Sequence, residues 1–186
     1  DAHGKNHHRV GSFAKHASGV TILTGNGELV ECGPDRNADL FWATAGGMGL
    51  TGIILDVTLR LQPIETDCVV TQNFVTRNLE ETFRQIDACS KSSYSVAWLD
   101  GVISGSRLGR GVVTAGEHAR LSDLPSERRA GPLEMRRRRP RSLPFGLPSW
   151  FLGRPLARAF NDVIHRRYAA KGSSPSLVEA AQFFYP

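Results

Sequence analysis

Cysteine is scarce in this chain, and the three present do not pair. Cys32, Cys68 and Cys89 stand far apart with no short spacing among them, which excludes a disulfide framework and a zinc-ribbon set and leaves free thiols. Long apolar runs are missing too. No stretch approaches the roughly 18 to 20 residues that cross a bilayer as a helix, so no such helix is expected. An initiating methionine is also absent: the text opens on Asp1, inside a motif-dense stretch and without a charged-then-apolar leader. It therefore reads as an internal piece of a longer protein.

What is present is a globular composition. The 186 residues are 40% hydrophobic, enough for one large domain or parts of two. The net charge of +5 is local. Residues 128–141 hold seven arginines against one acid, Glu134, which exceeds the excess of the whole chain and leaves the remainder near neutral.

Residues 1–18 are rich in His, Gly, Ser and Asn with almost no apolar period, and read as a loop. Two apolar runs, 20–24 and 28–32, flank Gly25-Asn26-Gly27 and predict a hairpin, because Asn-Gly accepts the positive φ of a tight reversal. Asn37 or Asp39 can cap a short helix through residues 40–44 that stops at Gly46-Gly47. From Gly52 the residues alternate, Ile53, Leu55, Val57, Leu59 and Leu61 on one face against Ile54, Asp56, Thr58, Arg60 and Gln62 on the other, which is a strand ended by Pro63. Ile54 is the odd member, apolar but in phase with the polar side. Either something apolar lies against it or that second face is partly covered.

After Pro63 the register changes, which divides the chain into residues 1–64 and 65–186. A strand is expected over 69–76, then a helix from Asn78 to about Lys91 with the capping-box spacing Asn78-Leu-Glu-Glu81. Strands over 94–103 and 109–115 follow. Residues 121–150 are Pro, Arg and Ser-rich without period and read as a long mobile loop, and a last helix runs from about 154 to 168. The fold class is α+β, a helix packed on an antiparallel sheet in the second half.

The densest polar constellation is His3-Gly4-Lys5-Asn6-His7-His8. A metal reading fails on geometry, since Gly4 and Asn6 oppose the helix that would put His3 and His7 on one face, and no carboxylate or thiol completes a set. Two readings stay open. Such a loop can bring backbone amides close to an anionic cofactor, with Lys5 adding charge, or it can be solvated surface. The glycines at 46, 47, 49 and 52 fit neither a Walker loop nor a dinucleotide fingerprint.

Taken in order, His3-Gly-Lys-Asn-His-His8, Gly11-Ser-Phe13, the hairpin through Thr24-Gly-Asn-Gly-Glu28, and Asp39-Leu-Phe-Trp-Ala-Thr-Ala-Gly-Gly-Met-Gly-Leu-Thr-Gly-Ile-Ile54 resemble the vanillyl-alcohol-oxidase type of flavoprotein, with its PCMH-type FAD-binding domain. The likeness is nearest to the branch that oxidises a polyprenylphosphoryl-ribose for cell-wall arabinan. Ser95-Val-Ala-Trp98-Leu-Asp100, Leu108-Gly-Arg110 and Gln182-Phe-Phe-Tyr-Pro186 continue it, with Val96 and Phe184 departing from a serine and a tyrosine.

The resemblance implies the second half of an FAD-binding domain over 1–64 and part of a substrate domain over 65–186. It places Asp1, Ala2, His3 and Gly4 along the FAD and the backbone at Ile54 against the isoalloxazine. His3 would stand near the reacting centre, and Lys5 and Trp98 on the substrate side. The implied reaction is hydride transfer from the ribose 2′-carbinol to flavin N5, and an NAD-dependent reductase partner would complete an epimerisation to arabinose. The upstream phosphate-cradling loop and a downstream tyrosine and lysine of the family are not in these 186 residues, so the main base is expected elsewhere and the chain alone is expected to hold FAD poorly. A sugar-1,4-lactone oxidase is the alternative within the fold.

Arg136-Arg-Arg-Arg139 admits three readings: a nucleic-acid tract, which would make the chain a non-catalytic basic module, a solvated linker, or a membrane-surface contact. Leu143, Phe145, Leu147, Trp150, Phe151 and Leu152 beside the arginines favour the last over the first, since lipid headgroups accept both kinds of side chain. Peripheral attachment to a bacterial cytoplasmic membrane is the expected location.

Overall fold

The computed structural model describes residues 8–135 and 153–185, together with Gly4 and Asn6. Two compact units divide the chain, Asp1–Pro63 and Ile64–Pro186.

In the first unit a 3-10 turn, Phe13–His16, leads into β1 (Ala17–Leu23), which pairs antiparallel with β2 (Leu29–Cys32) through the turn at Gly25-Asn26-Gly27. Gly27 sits at φ 84° and its amide donates to the Thr24 carbonyl at 3.0 Å, the reversal expected of that sequence. α1 (Ala38–Thr44) follows, then β3 (Ile53–Leu59), and the sheet order is β2-β1-β3. Asn37 is the residue ahead of α1, but at φ 48° its side chain does not cap the helix. Its Nδ2 donates instead to the Glu31 carbonyl at 2.8 Å, tying the helix start to β2. The core is Ala17, Ile22, Cys32 and Phe41, with Val20, Val30 and Leu40 packed on it.

In the second unit β4 (Cys68–Thr76), α2 (Leu79–Ala88), β5 (Tyr94–Leu99), β6 (Gly111–His118), α3 (Arg154–Lys171), β7 (Ser176–Glu179) and α4 (Ala180–Phe184) follow in order. The strands form one antiparallel sheet, β5-β6-β4-β7. The α+β class with antiparallel sheets agrees with the sequence reading. Asn78 caps α2, accepting from the Glu81 amide at 2.9 Å. The reciprocal half of the expected capping box is displaced by one residue, because Glu81 accepts from the amide of Arg77 at 2.8 Å and not from that of Asn78.

Three expectations are corrected here. β7 and α4 occupy a stretch for which the sequence predicts no element, because four residues of strand carry too little period to register. β5 stops at Leu99, since Asp100 turns inward to a buried ion pair. Residues 121–135, expected as part of a mobile loop, form 3-10 turns at Leu121–Asp123 and Ser126–Arg128. Leu124, fully buried with Cys68 and Ala119, and the ion pair of Arg128 with Asp67 at 2.9 Å hold them. Residues 136–152, including Arg136 to Arg139 and the aromatic residues after them, lie outside the described residues.

Candidate functional site

The site takes shape where α1 turns into β3. Phe41, buried, seats α1 on the β1-β2 pair, while Trp42 packs edge-on against it at 4.9 Å between ring centres and stays half exposed. Thr44 ends the helix, its hydroxyl donating to the Leu40 carbonyl at 2.7 Å and meeting the Thr51 hydroxyl at 2.9 Å. Those two threonines close the loop between them. Gly46, Met48, Gly49 and Gly52 all have positive φ, so the chain reverses tightly and projects Met48 and Leu50 outward, 90% and 86% exposed. Gly52 is obligatory on space as well: a Cβ there would stand 2.4 Å from the Leu23 carbonyl oxygen.

β3 then runs beside β1 with a slip in register. Asp56 faces Thr21 but Ile54 faces Ile22, so Leu55 is an extra residue on β3, and a second slip leaves Ser18 extra on β1. The alternation read from the sequence is therefore broken at Leu55. Directly opposed residues share a face, which puts Ile54, Val57 and Leu59 with Ile22, Val20 and Ala17 on the core side, and Ile53, Asp56 and Thr58 on the other. The bulge explains why Ile54 is apolar. It does not bury it: Ile54 is 48% exposed, and every residue of β3 is exposed while Ile22 beside it is fully buried.

The result is an apolar strip along the outer strand of the sheet, begun by a glycine-rich turn and left open. A flat aromatic group fits such a strip, because backbone without bulky cover lets a ring approach closely. The opposite face is polar. Thr21, Glu31, Arg36, Asp56 and Thr58 line a hollow of about 300 Å³ there, where Arg36 pairs with Glu31.

The expected cofactor and substrate residues are placed unevenly. Asp1, Ala2, His3 and Lys5 lie outside the described residues. Gly4 is exposed, and Asn6, two residues on, is 4% exposed with an Oδ1 that has no hydrogen-bond partner among the described residues. A buried, unsatisfied amide oxygen is costly, and it falls in the stretch expected to border a cofactor. Ile54 belongs to the same unit as Gly4, and Trp98 to the other. Among the described residues no three His, Cys, Asp or Glu side chains gather as a metal site.

Trp98 stands on β5 across from Val112, on the face it shares with Tyr94 and Val96. Thr114, opposite Val96, lies on that face and donates to Asn73 Oδ1 at 2.7 Å. This partly buried polar pair on the face of Trp98 is not legible in the sequence, since the two residues are 41 apart and only the sheet register brings them together.

Arg110 and Asp100 form the other missed cluster. Arg110 Nε and Nη2 donate to Asp100 Oδ2 at 3.1 and 2.8 Å, and Nη2 also reaches Asp162 of α3. Asn161 Nδ2 and the Val102 amide donate to Asp100 Oδ1 at 2.7 and 3.1 Å. Burial by itself would raise the Asp100 carboxyl, but the hydrogen bonds from Arg110, Asn161 and Val102 and the Arg110 charge outweigh it and hold it below the usual range. This network docks α3.

No family model matches the chain. Over 196 aligned residues, covering 100% of this chain and 41% of the relative, it is 37% identical to decaprenylphosphoryl-β-D-ribose oxidase of Mycolicibacterium smegmatis. It is 38% identical to an uncharacterized Streptomyces coelicolor protein of the mprA 5′ region, over 89% of this chain and 46% of that protein. A shorter match, 40% identical over 55 residues, is to cytokinin dehydrogenase 4 of Oryza sativa. The chain thus spans less than half the length of these relatives. The resemblance stated from the residues is borne out, an oxidase and a dehydrogenase being among the proteins it is similar to.

Proposed function

We propose that this chain forms part of an FAD-linked oxidoreductase that oxidises a secondary alcohol of a sugar, the ribose 2′-hydroxyl of a polyprenylphosphoryl-ribose. In this reading the first unit is the later half of the FAD-binding domain and the second is part of the substrate domain. The observation that carries it is the open apolar strip of β3, with Ile54 half exposed at the end of the glycine-rich turn.

FAD held by these residues would supply the redox chemistry, as the hydride acceptor for the carbinol carbon. The chain's own residues do the rest. Ile54 and its neighbours support one side of the ring and keep water from it. The bulge at Leu55 sets which side chains face that ring. Asp1, Ala2, His3 and Gly4 would line the cofactor, and the buried Asn6 Oδ1, which has no partner among the described residues, would accept a hydrogen bond from it. His3 would serve near the reacting carbon as a positioning or proton-exchanging group. Lys5 and Trp98 are the residues we assign to the substrate side, the face of Trp98 being set by the β5–β6 register. An NAD-dependent reductase acting on the keto product completes an epimerisation to the arabinose donor.

Anaerobic mixing tests the reading. The protein as its own cell makes it should show flavin absorbance that bleaches with polyprenylphosphoryl-ribose and not with aldono-1,4-lactones. Bleaching by lactones alone would move the assignment to a lactone oxidase, and absence of flavin would end it.

A further inference from the structure

α3 carries a face that no described residue covers. It docks by one side, through Asn161 to Asp100, Asp162 to Arg110, and His165 Nε2 donating to the Thr76 carbonyl at 3.1 Å. Its apolar side chains do not all follow that side. Leu156, Phe160 and Val163 recur at i, i+4 and i+7, which aligns them in one stripe, and they are 39%, 62% and 64% exposed. No residue of the 18-residue helix is buried.

The charges on the same helix are one-sided. Arg154, Arg158, Arg166, Arg167 and Lys171 stand against a single acid, Asp162, and that acid is already engaged by Arg110. None of the five cations forms an ion pair among the described residues. Arg167 continues the apolar stripe one turn beyond Val163, with Arg166 and Lys171 on either side of it.

A second copy of the chain fits this surface badly. Three apolar residues are too short a seam for a coiled coil, which needs about three heptads, and two copies would bring like charges together. An anionic lipid surface accepts both features at once: headgroup phosphates meet the guanidinium groups, and the boundary below them takes the phenyl ring and the aliphatic side chains.

We propose that α3 is an interfacial helix that lies on an anionic phospholipid surface, Leu156, Phe160 and Val163 entering the headgroup boundary and Arg166, Arg167 and Lys171 meeting the phosphates. The inference stands on α3 alone and does not depend on flavin binding.

Cosedimentation tests it, with the protein as its cell makes it and vesicles of phosphatidylcholine alone or mixed equally with phosphatidylglycerol. The protein should pellet with the mixed vesicles and not with phosphatidylcholine, and salt should weaken binding. The pair Phe160→Ser/Val163→Ser should weaken it by about tenfold or more, and Arg166→Ser/Arg167→Ser by about tenfold, with melting temperatures unchanged because all four side chains are exposed. Wild-type protein that stays in solution, or variants that pellet as well as wild type, would overturn the proposal. A dimer that Phe160→Ser/Val163→Ser converts to monomer while vesicle binding persists would assign the stripe to a second copy instead.

Discussion

Ile54 stands directly across from Ile22 on the core side of the sheet, yet Ile22 is sealed and Ile54 is half open. The two share a face because Leu55 is bulged. α1 lays Phe41 over the Ile22 side and ends before it can cover β3. The uncovered strip is thus a consequence of where a seven-residue helix stops.

Gly52→Ala should destabilise the first unit by about 2 kcal/mol or more. The residue is at φ 142° and the new Cβ would collide with the Leu23 carbonyl and the Ile22 side chain. Gly25→Ala, with nothing within 4 Å, should change stability by no more than about 0.5 kcal/mol. Urea midpoints of the two variants make the comparison.

Asp100→Asn should cost roughly 3 kcal/mol or more, because it leaves the buried Arg110 guanidinium short of its partner. The wild-type pair also sets a pH dependence. Asp100 and Asp162 both have carboxyls held below their ordinary range, Asp100 against its burial and Asp162 chiefly by the Arg110 hydrogen bond. A depressed folded-state value means that their stabilisation is complete above the ordinary carboxylate range and is lost as pH falls through the lowered value. The urea midpoint should therefore drop on acidification, and Arg110→Met should flatten that part of the curve.

Cys68 should resist alkylation in the folded protein at about pH 8, and react once urea unfolds it. Burial first, then the hydrogen bond to Asp67, pushes its thiol up to about 11. Rapid labelling of Cys68 in native protein, read by peptide mass, would show that β4 opens locally.

Much of this fold is legible in the sequence because the signals are local. The hairpin at Asn26-Gly27, the cap at Asn78 and the period-two runs each need only their own few residues. The bulge at Leu55 leaves no such trace, since two neighbouring apolar residues, Ile54 and Leu55, read equally well as one strand with a misfit. Asp100, Arg110 and Asp162 were invisible as a cluster because α3 joins them across 52 residues. At the site, Ile54 could be singled out by its wrong phase, while the Thr114-Asn73 pair depends on sheet register.

The flavin bound per chain, measured by absorbance in the protein as its cell makes it, is the most direct test of the cofactor's place. Wild-type protein should carry close to one FAD, and Ile54→Asp should lose most of it while melting within a few degrees of the flavin-free wild type, since position 54 is already half in solvent. An Ile54→Asp protein that keeps its full flavin content would put the ring somewhere other than against β3.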